Sequence, residues 1–188
     1  MKKFSKDFGL VGGTAVALHL GHRESIDFDL FTTEEFNNAK IKRVILENQK
    51  IDRVTFDEKG QMSFFINGVK FTFFQFPYEI PFTEDVEGVI KIPTLLALAA
   101  MKAFALGQRA KWKDYVDLYF ILKDHHSIEE INTTARELFK QEYNEKIFRT
   151  QLAYFNDIDY REEVVFKNNL NVSDEEVKKS LTEFSLEK

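Results

Sequence analysis

The sequence predicts a mixed α/β core over residues 1–92, followed by a helical region over residues 93–188 that packs on the core or continues it as one domain. Three observations carry this. Near the start, short apolar runs of period two alternate with a helical pattern. The middle of the chain holds three strand-like runs rich in phenylalanine. From Pro93 onward the apolar residues recur at helical spacing and strand signals cease.

Taken in order, Phe8 to Val11 reads as a short buried strand ended by Gly12-Gly13. Thr14 to Leu20 has helical composition, and Gly21 is a C-terminal stop. Ile26 to Phe31 alternates apolar and acidic residues, so a strand with one acidic face is expected. Thr33 is the expected N-cap of a helix over Glu34 to Asn48. The runs "IDRVTFD", "QMSFFI" and "VKFTFFQF" are expected strands, the last two joined by an Asn67-Gly68 hairpin turn. Pro93 suits a first helical position, and Gly107 ends that helix. From Trp112 the chain is expected to be helical throughout, with capping boxes opening at Ser127 and Ser173.

Composition narrows the function classes. With 188 residues, 44% hydrophobic and 30% charged, the chain can bury a sizeable core, and most of its 20 phenylalanines belong there. The absence of cysteine removes disulfides, thiol catalysis and thiolate metal sites. A net charge of −5 argues against a broad nucleic-acid-binding surface but leaves room for a local basic pocket. No apolar run is long enough to span a membrane, and the first residues lack the apolar core of a secretory signal. A cytoplasmic protein is expected.

The stretch "LVGGTAVALHLGHRESIDFDLF" concentrates the chemistry. Residues two apart on a strand share a face, which sets Asp27 and Asp29 roughly 6–7 Å apart at the backbone. Such a pair can converge on divalent cations of the kind phosphoryl transfer requires. Oxygen-only ligation favours Mg²⁺ or Mn²⁺. Gly12 and Gly13 let a ligand approach the backbone, the helix start behind them attracts an anion, and Thr14 adds a hydroxyl. Either half alone is commonly a plain turn or a solvated strand face. Their order and spacing raise the reading to a phosphate cradle facing an acidic pair.

This arrangement resembles the polymerase-β-like nucleotidyltransferase superfamily, in which Gly-Gly or Gly-Ser precedes Asp-apolar-Asp. Within it, "GGTAVALHLGHRESIDFDLF" is similar to the AbiEii/AbiGii-type toxins of abortive-infection and toxin–antitoxin systems, and so is "AAMKAFALGQRAKWKDYVDLYFIL". The resemblance implies a polymerase-β-like core with a mixed sheet. It implies that Gly12, Gly13 and Thr14 hold the triphosphate of an NTP, with Ser25 nearby, and that Asp27 and Asp29 hold Mg²⁺. Lys102 would pair with the triphosphate, and Asp114 or Asp117 would complete the acidic site. It further implies transfer of an NMP to a tRNA 3′ end or a protein hydroxyl, and a cognate antitoxin.

The residues themselves are read more openly. Lys102 and Arg109 share a helix face only if Gly107 keeps the register, in which case Arg109 joins the nucleotide contacts. Asp117 is equally placed for an ordinary surface pair with Lys113. Arg23 reads as a surface charge or a phosphate contact, and His19, His22, His125 and His126 read as structural or surface residues. At the position of a third carboxylate stands Thr72, which cannot replace an acidic ligand or base. The chain also starts close to its first strand, where relatives carry a preceding helical segment, so a shortened homologue is expected. The alternative function is a degenerate nucleotidyltransferase fold that binds nucleotide or a partner without turnover. A kinase-like phosphotransferase on the same scaffold is a third.

Overall fold

The structure is a computed structural model that describes residues 1–187. Strand β1 (Gly9–Val11) runs directly into helix α1 (Gly12–Leu20), and β2 (Phe28–Thr32) and α2 (Asn38–Leu46) follow. Strands β3 (Arg53–Glu58), β4 (Gln61–Ile66) and β5 (Val69–Gln75) complete the main sheet. A small hairpin, β6 (Glu84–Val86) and β7 (Ile90–Ile92), precedes α3 (Leu95–Leu106). Helices α4 (Trp112–Asp124), α5 (Ile128–Phe139), α6 (Glu145–Leu152) and α7 (Asp174–Ser185) make up the rest. The chain divides into two compact units, Met1–Ala15 with Ser25–Thr94, and Val16–Glu24 with Leu95–Lys188.

The first unit is a five-stranded mixed sheet in the order β1-β2-β5-β4-β3. Only β2 and β5 are parallel, with Asp29 beside Thr72 and Phe31 beside Phe74. A parallel neighbour needs a long crossover, and α2 with the β3–β4 hairpin supplies it. The Asn67-Gly68 turn forms as the sequence predicts, both residues at positive φ and Ile66 paired with Val69.

Period-two alternation gives the sheet two unlike faces. Leu30, Met62, Phe64 and Phe73 are fully buried on one of them, where Phe28, Phe71 and Phe64 stack at 5.1 and 5.6 Å. Phe4 of the N-terminal segment and Ile45 of α2 border a cavity over the same face. Asp29, Phe31, Thr72, Phe74 and Ser63 point the other way.

The second unit packs α3 against α4, α5 and α6, with α7 against α4 and α6. Phe104 and Phe139 stack at 4.2 Å where α3 meets α5. The capping box at Ser127 forms in full. At Ser173 the hydroxyl accepts from the Glu176 N–H.

Four expectations are corrected. Thr33 caps nothing, because α2 starts later, at Asn38, with Asn37 Oδ1 accepting from the Lys40 N–H. Pro93 lies before α3 rather than at its first position, since the β6–β7 hairpin holds the chain extended up to Ile92. The α3 helix ends at Leu106, so Arg109 lies in a connection and not on the Lys102 face. The chain after Trp112 is not helical throughout: residues 154–172 form an irregular strap. The Glu24 N–H donates to the Val165 carbonyl, the Lys167 N–H donates to His22, and Asn168 donates to the carbonyl of Gly21.

The corrected cap is directly testable. Asn37→Ala is expected to cost about 1 kcal/mol, whereas Thr33→Ala should change stability by less than about 0.5 kcal/mol. Urea unfolding of both variants separates the two positions.

Candidate functional site

The sheet unit brings together most residues of the first motif. Val11 is buried and pairs with Asp29, so the chain enters Gly12 directly beside that carboxylate. Gly12 has φ +73, a conformation that favours glycine. A Cβ there would also fall well inside contact distance of Asp29 Oδ2. No other residue fits. Gly13 is the second residue of α1, and the N–H groups of such a first turn have no partner within their own helix.

Thr14 is buried, and its hydroxyl is a strut. Oγ1 donates to the carbonyl of Asp27 and sits 3.0 Å from Ser25 Oγ. A hydroxyl has one proton, so with that proton on Asp27 the Ser25 hydroxyl is the donor between the two. The helix start is thereby tied to the backbone that presents the acids. Asp27 precedes the first residue of β2, and its Oδ1 accepts from the Lys70 N–H at 3.2 Å. Thr72 occupies the place beside Asp29, and Ser63 Oγ donates to Thr72 Oγ1 across 3.4 Å. The row across the sheet therefore carries one carboxylate and two hydroxyls.

Asp27 and Asp29 form a hard, oxygen-only donor set. Among the described residues no group of three or more His, Cys, Asp or Glu side chains is arranged to hold a metal. Mg²⁺ commonly takes one or two carboxylates and completes its shell with water and substrate phosphates, so the two acids fit such an ion.

The helical unit gathers the second motif into a buried charge network. Asp117 has no exposed side-chain surface. Its Oδ1 accepts from His22 Nε2 and Arg23 Nε, both at 2.7 Å. Its Oδ2 accepts from Arg23 Nη2 at 2.8 Å and stands 2.6 Å from Lys102 Nζ. Lys102, 7% exposed, also donates to Asp114 Oδ1 at 2.6 Å. Two carboxylates thus face two cations. Asp114 Oδ2 is buried without a hydrogen-bond partner, and Arg109 Nε lies 3.5 Å from it with 58% of its side chain exposed.

Burial works against the charge of Asp117, but Lys102 and Arg23, with hydrogen bonds from His22 and Arg23, hold its carboxyl well below the usual range. Burial also opposes the charge on Lys102, and Asp114 and Asp117 outweigh it and raise its pKa. Arg23 is likewise pushed up, Asp117 overcoming desolvation.

Two residues differ from their sequence reading here, and a third gains a partner. Arg23 is not a surface charge: it is buried against Asp117. Asp117 makes no surface pair with Lys113, which reaches Glu162 at 3.5 Å instead. His22 is a buried structural residue, as one of its two readings held, but its bond to Asp117 was not foreseen. A charge count would have found Arg23. Two acids on a helix whose residues 114–122 are all buried need two cations, and Lys102 is only one.

The sheet order and the helical unit together define a nucleotidyltransferase fold. Two structures show it: a Helicobacter pylori protein described as a nucleotidyltransferase, with a TM-score of 0.60 and 18% identity over 98% of this chain and 87% of that one, and MenT4, a nucleotidyltransferase toxin of Mycobacterium tuberculosis H37Rv, with a TM-score of 0.60 and 12% identity over 96% and 74%. In sequence, a protein of Aquifex aeolicus (strain VF5) is 36% identical over 167 residues, 84% of this chain and 77% of its own length. The model of the AbiEii family, nucleotidyl transferase toxins of type IV toxin–antitoxin systems, matches residues 2–185. The chain belongs to the AbiEii family. Among the described residues no helix is long and apolar enough to cross a membrane.

Two stability predictions follow from the geometry. Thr14→Val removes the strut and should cost about 1 kcal/mol, while Thr14→Ser retains it; thermal unfolding compares them. Asp117→Asn leaves Arg23 and Lys102 buried without their shared counter-charge and should cost about 3–5 kcal/mol at pH 7, against less than about 1 kcal/mol for Arg109→Ala.

Asp117 titrates lower in the folded state than in the unfolded one. Its contribution is therefore present above the unfolded value of about 3.9 and lost as pH falls through the folded one. Lys102 titrates higher when folded, so its contribution holds below about 10.4 and is lost as pH rises through the folded value. In urea unfolding between about pH 5 and pH 2, Asp117→Asn should lose less stability than the wild type.

Proposed function

We propose that the protein transfers a nucleoside monophosphate from an NTP to an acceptor hydroxyl, as the cytoplasmic toxin of a toxin–antitoxin pair with a cognate antitoxin. The observation that carries this reading is the contact of Asp29 with Gly12, which sets a carboxylate against a helix start that only glycine can form. Gly12 and Gly13 offer backbone N–H groups to the triphosphate. Asp27 and Asp29 would hold Mg²⁺ or Mn²⁺, and the ion would neutralise phosphate charge and polarise the α-phosphate.

The acceptor oxygen attacks the α-phosphorus, the α–β P–O bond breaks, and pyrophosphate leaves along the line of attack. Thr72 beside Asp29 supplies no carboxylate base, so the acceptor proton passes to solvent water. Ser25 and Thr14 hold Asp27 in place by the bonds described above. Lys102, Asp114 and Asp117 maintain the charge and shape of the helical unit, and Arg109 extends that network to solvent through Asp114. The first candidate for the acceptor is RNA, at the 3′ end of tRNA, and a protein hydroxyl is the other.

Thr72 also supports a second reading, a fold that binds nucleotide without turnover. Incubation with Mg²⁺, total tRNA and each α-labelled NTP in turn decides between them. Label is expected on RNA, at least about 100-fold less of it for Asp27→Asn and for Asp29→Asn, and none from γ-labelled ATP. Label on protein alone would move the acceptor. No transfer by a folded protein that still binds NTP would leave the binding module as the function.

A further inference from the structure

The polar face of the sheet does not stop at the acids. One step beyond Asp29 on the same face of β2 is Phe31, and beside it on β5, beyond Thr72, is Phe74. Phe31 lies 5.2 Å from Phe74 and 5.0 Å from Phe76, and Phe76 lies 5.3 Å from Tyr78. All four rings are only partly buried, whereas Phe64 and Phe73 of the opposite face are fully buried. Phe31, Phe76 and Tyr78, with Phe82, line a groove of about 770 Å³ bordered by Lys6 and Lys91. Phe82 reaches it because Gly9 has no side chain: a Cβ there would collide with the ring.

Phe31 and Phe74 share the face of Asp29, and Phe76 and Tyr78 continue the row of ring contacts past the end of β5. Aromatic side chains in such a place are platforms on which unpaired bases stack, whatever the sequence. The direction of transfer says whose base it is. Thr14 and Ser25 tie the helix start to the Asp27 side of the acids, while Phe31 lies past Asp29 on the other side. In-line displacement requires the leaving pyrophosphate and the attacking hydroxyl to lie on opposite sides of the α-phosphorus. With the triphosphate on the helix start, the attacking hydroxyl comes from the aromatic side.

We infer that this groove binds the unpaired terminal bases of a single-stranded RNA acceptor, stacked on Phe76 and Tyr78, and so delivers the RNA 3′ hydroxyl to the acidic pair. The inference rests on the transferase reading for its direction and on the rings for its chemistry. Asp7, Glu34 and Glu79 also border the groove. Their charge disfavours a phosphate-rich duplex and suits a base with few phosphate contacts, which Lys6 and Lys91 can provide.

Fluorescence anisotropy of a short, unstructured, dye-labelled RNA tests the groove without NTP or metal, so its outcome is independent of turnover. Tyr78→Leu and Phe76→Leu should each weaken binding about tenfold, and Tyr78→Phe should bind as the wild type does. With only two lysines at the groove, log Kobs should fall against log salt with a slope of about −1.4. On the unmutated protein, 2-aminopurine at the RNA 3′ end should lose fluorescence on binding, the signature of stacking. If transfer is active, the KM for RNA should rise in the same ratio while the KM for NTP stays constant.

Three results would overturn the inference: no RNA binding by the wild type, full 2-aminopurine fluorescence in the complex, or folded leucine variants that bind RNA normally. Loss of NTP binding in their place would assign the groove to the incoming base and overturn it too. Absence of transfer with ring-dependent RNA binding intact would instead count against the transferase reading alone.

Discussion

The interaction on which the helical unit depends is the sharing of Asp117 by Arg23, His22 and Lys102. A carboxylate with no exposed side-chain surface has lost its hydration entirely, a cost of several kcal/mol that only close, well-aligned partners offset. The bonds at 2.6–2.8 Å provide that, and Lys102 passes the charge on to Asp114. Well-packed apolar residues of similar volume could match such a network for stability. What apolar packing lacks is direction. Each bond fixes one side chain at one angle, so α3, α4 and the segment after α1 are held in a single arrangement rather than a family of similar ones.

In the sheet unit a comparable economy of geometry comes from apolar packing. The apolar face is closed by stacked phenylalanines and has little freedom. Because side chains alternate at a period of two, fixing that face fixes the other. A one-residue slip of β2 would bury Asp29 and expose Leu30, and moving a carboxylate into the apolar face costs far more than any loop adjustment could recover. The position of the acids is therefore set by hydrophobic packing on the far side of the strand. The strut from Thr14 to Asp27 then secures the residue that precedes the strand, where the ladder itself gives no support.

Much of this was legible in the sequence, and the parts that were not share a cause. The order strand, Gly-Gly, helix, acidic strand depends on local signals: period, glycine conformation and a stop at Gly21. The Asn67-Gly68 turn and the Ser127 cap are local as well. Two of the partners of Asp117, Arg23 and His22, are 94 and 95 residues away in the chain, in a stretch, "GHRES", with no period of its own. The strap over residues 154–172 was equally hidden, since its bonds run to residues 21–24 and its composition differs little from that of a polar helix. The helix expected from Thr33 failed for another reason: a good capping residue is common, and only the position of Ile41 and Ile45 on a buried face selects Asn37 over it.

Thr14 shows how far a motif can be carried before geometry is needed. As a pattern, Gly-Gly-Thr at a helix start offers a hydroxyl to an anion. In the structure that hydroxyl's single proton is committed to the Asp27 carbonyl, and the threonine acts on a ligand only through the carboxylate it positions. Thr72 runs the other way. Read from sequence it is a missing acid; beside Asp29, with Ser63 in hydrogen-bond reach, it is part of a row of hydroxyls on a half-buried sheet face. A third carboxylate in that row would stand one strand from Asp29, where like charges at about 5 Å repel unless a cation lies between them. Threonine at that place adds no charge beside Asp29 and so avoids the repulsion.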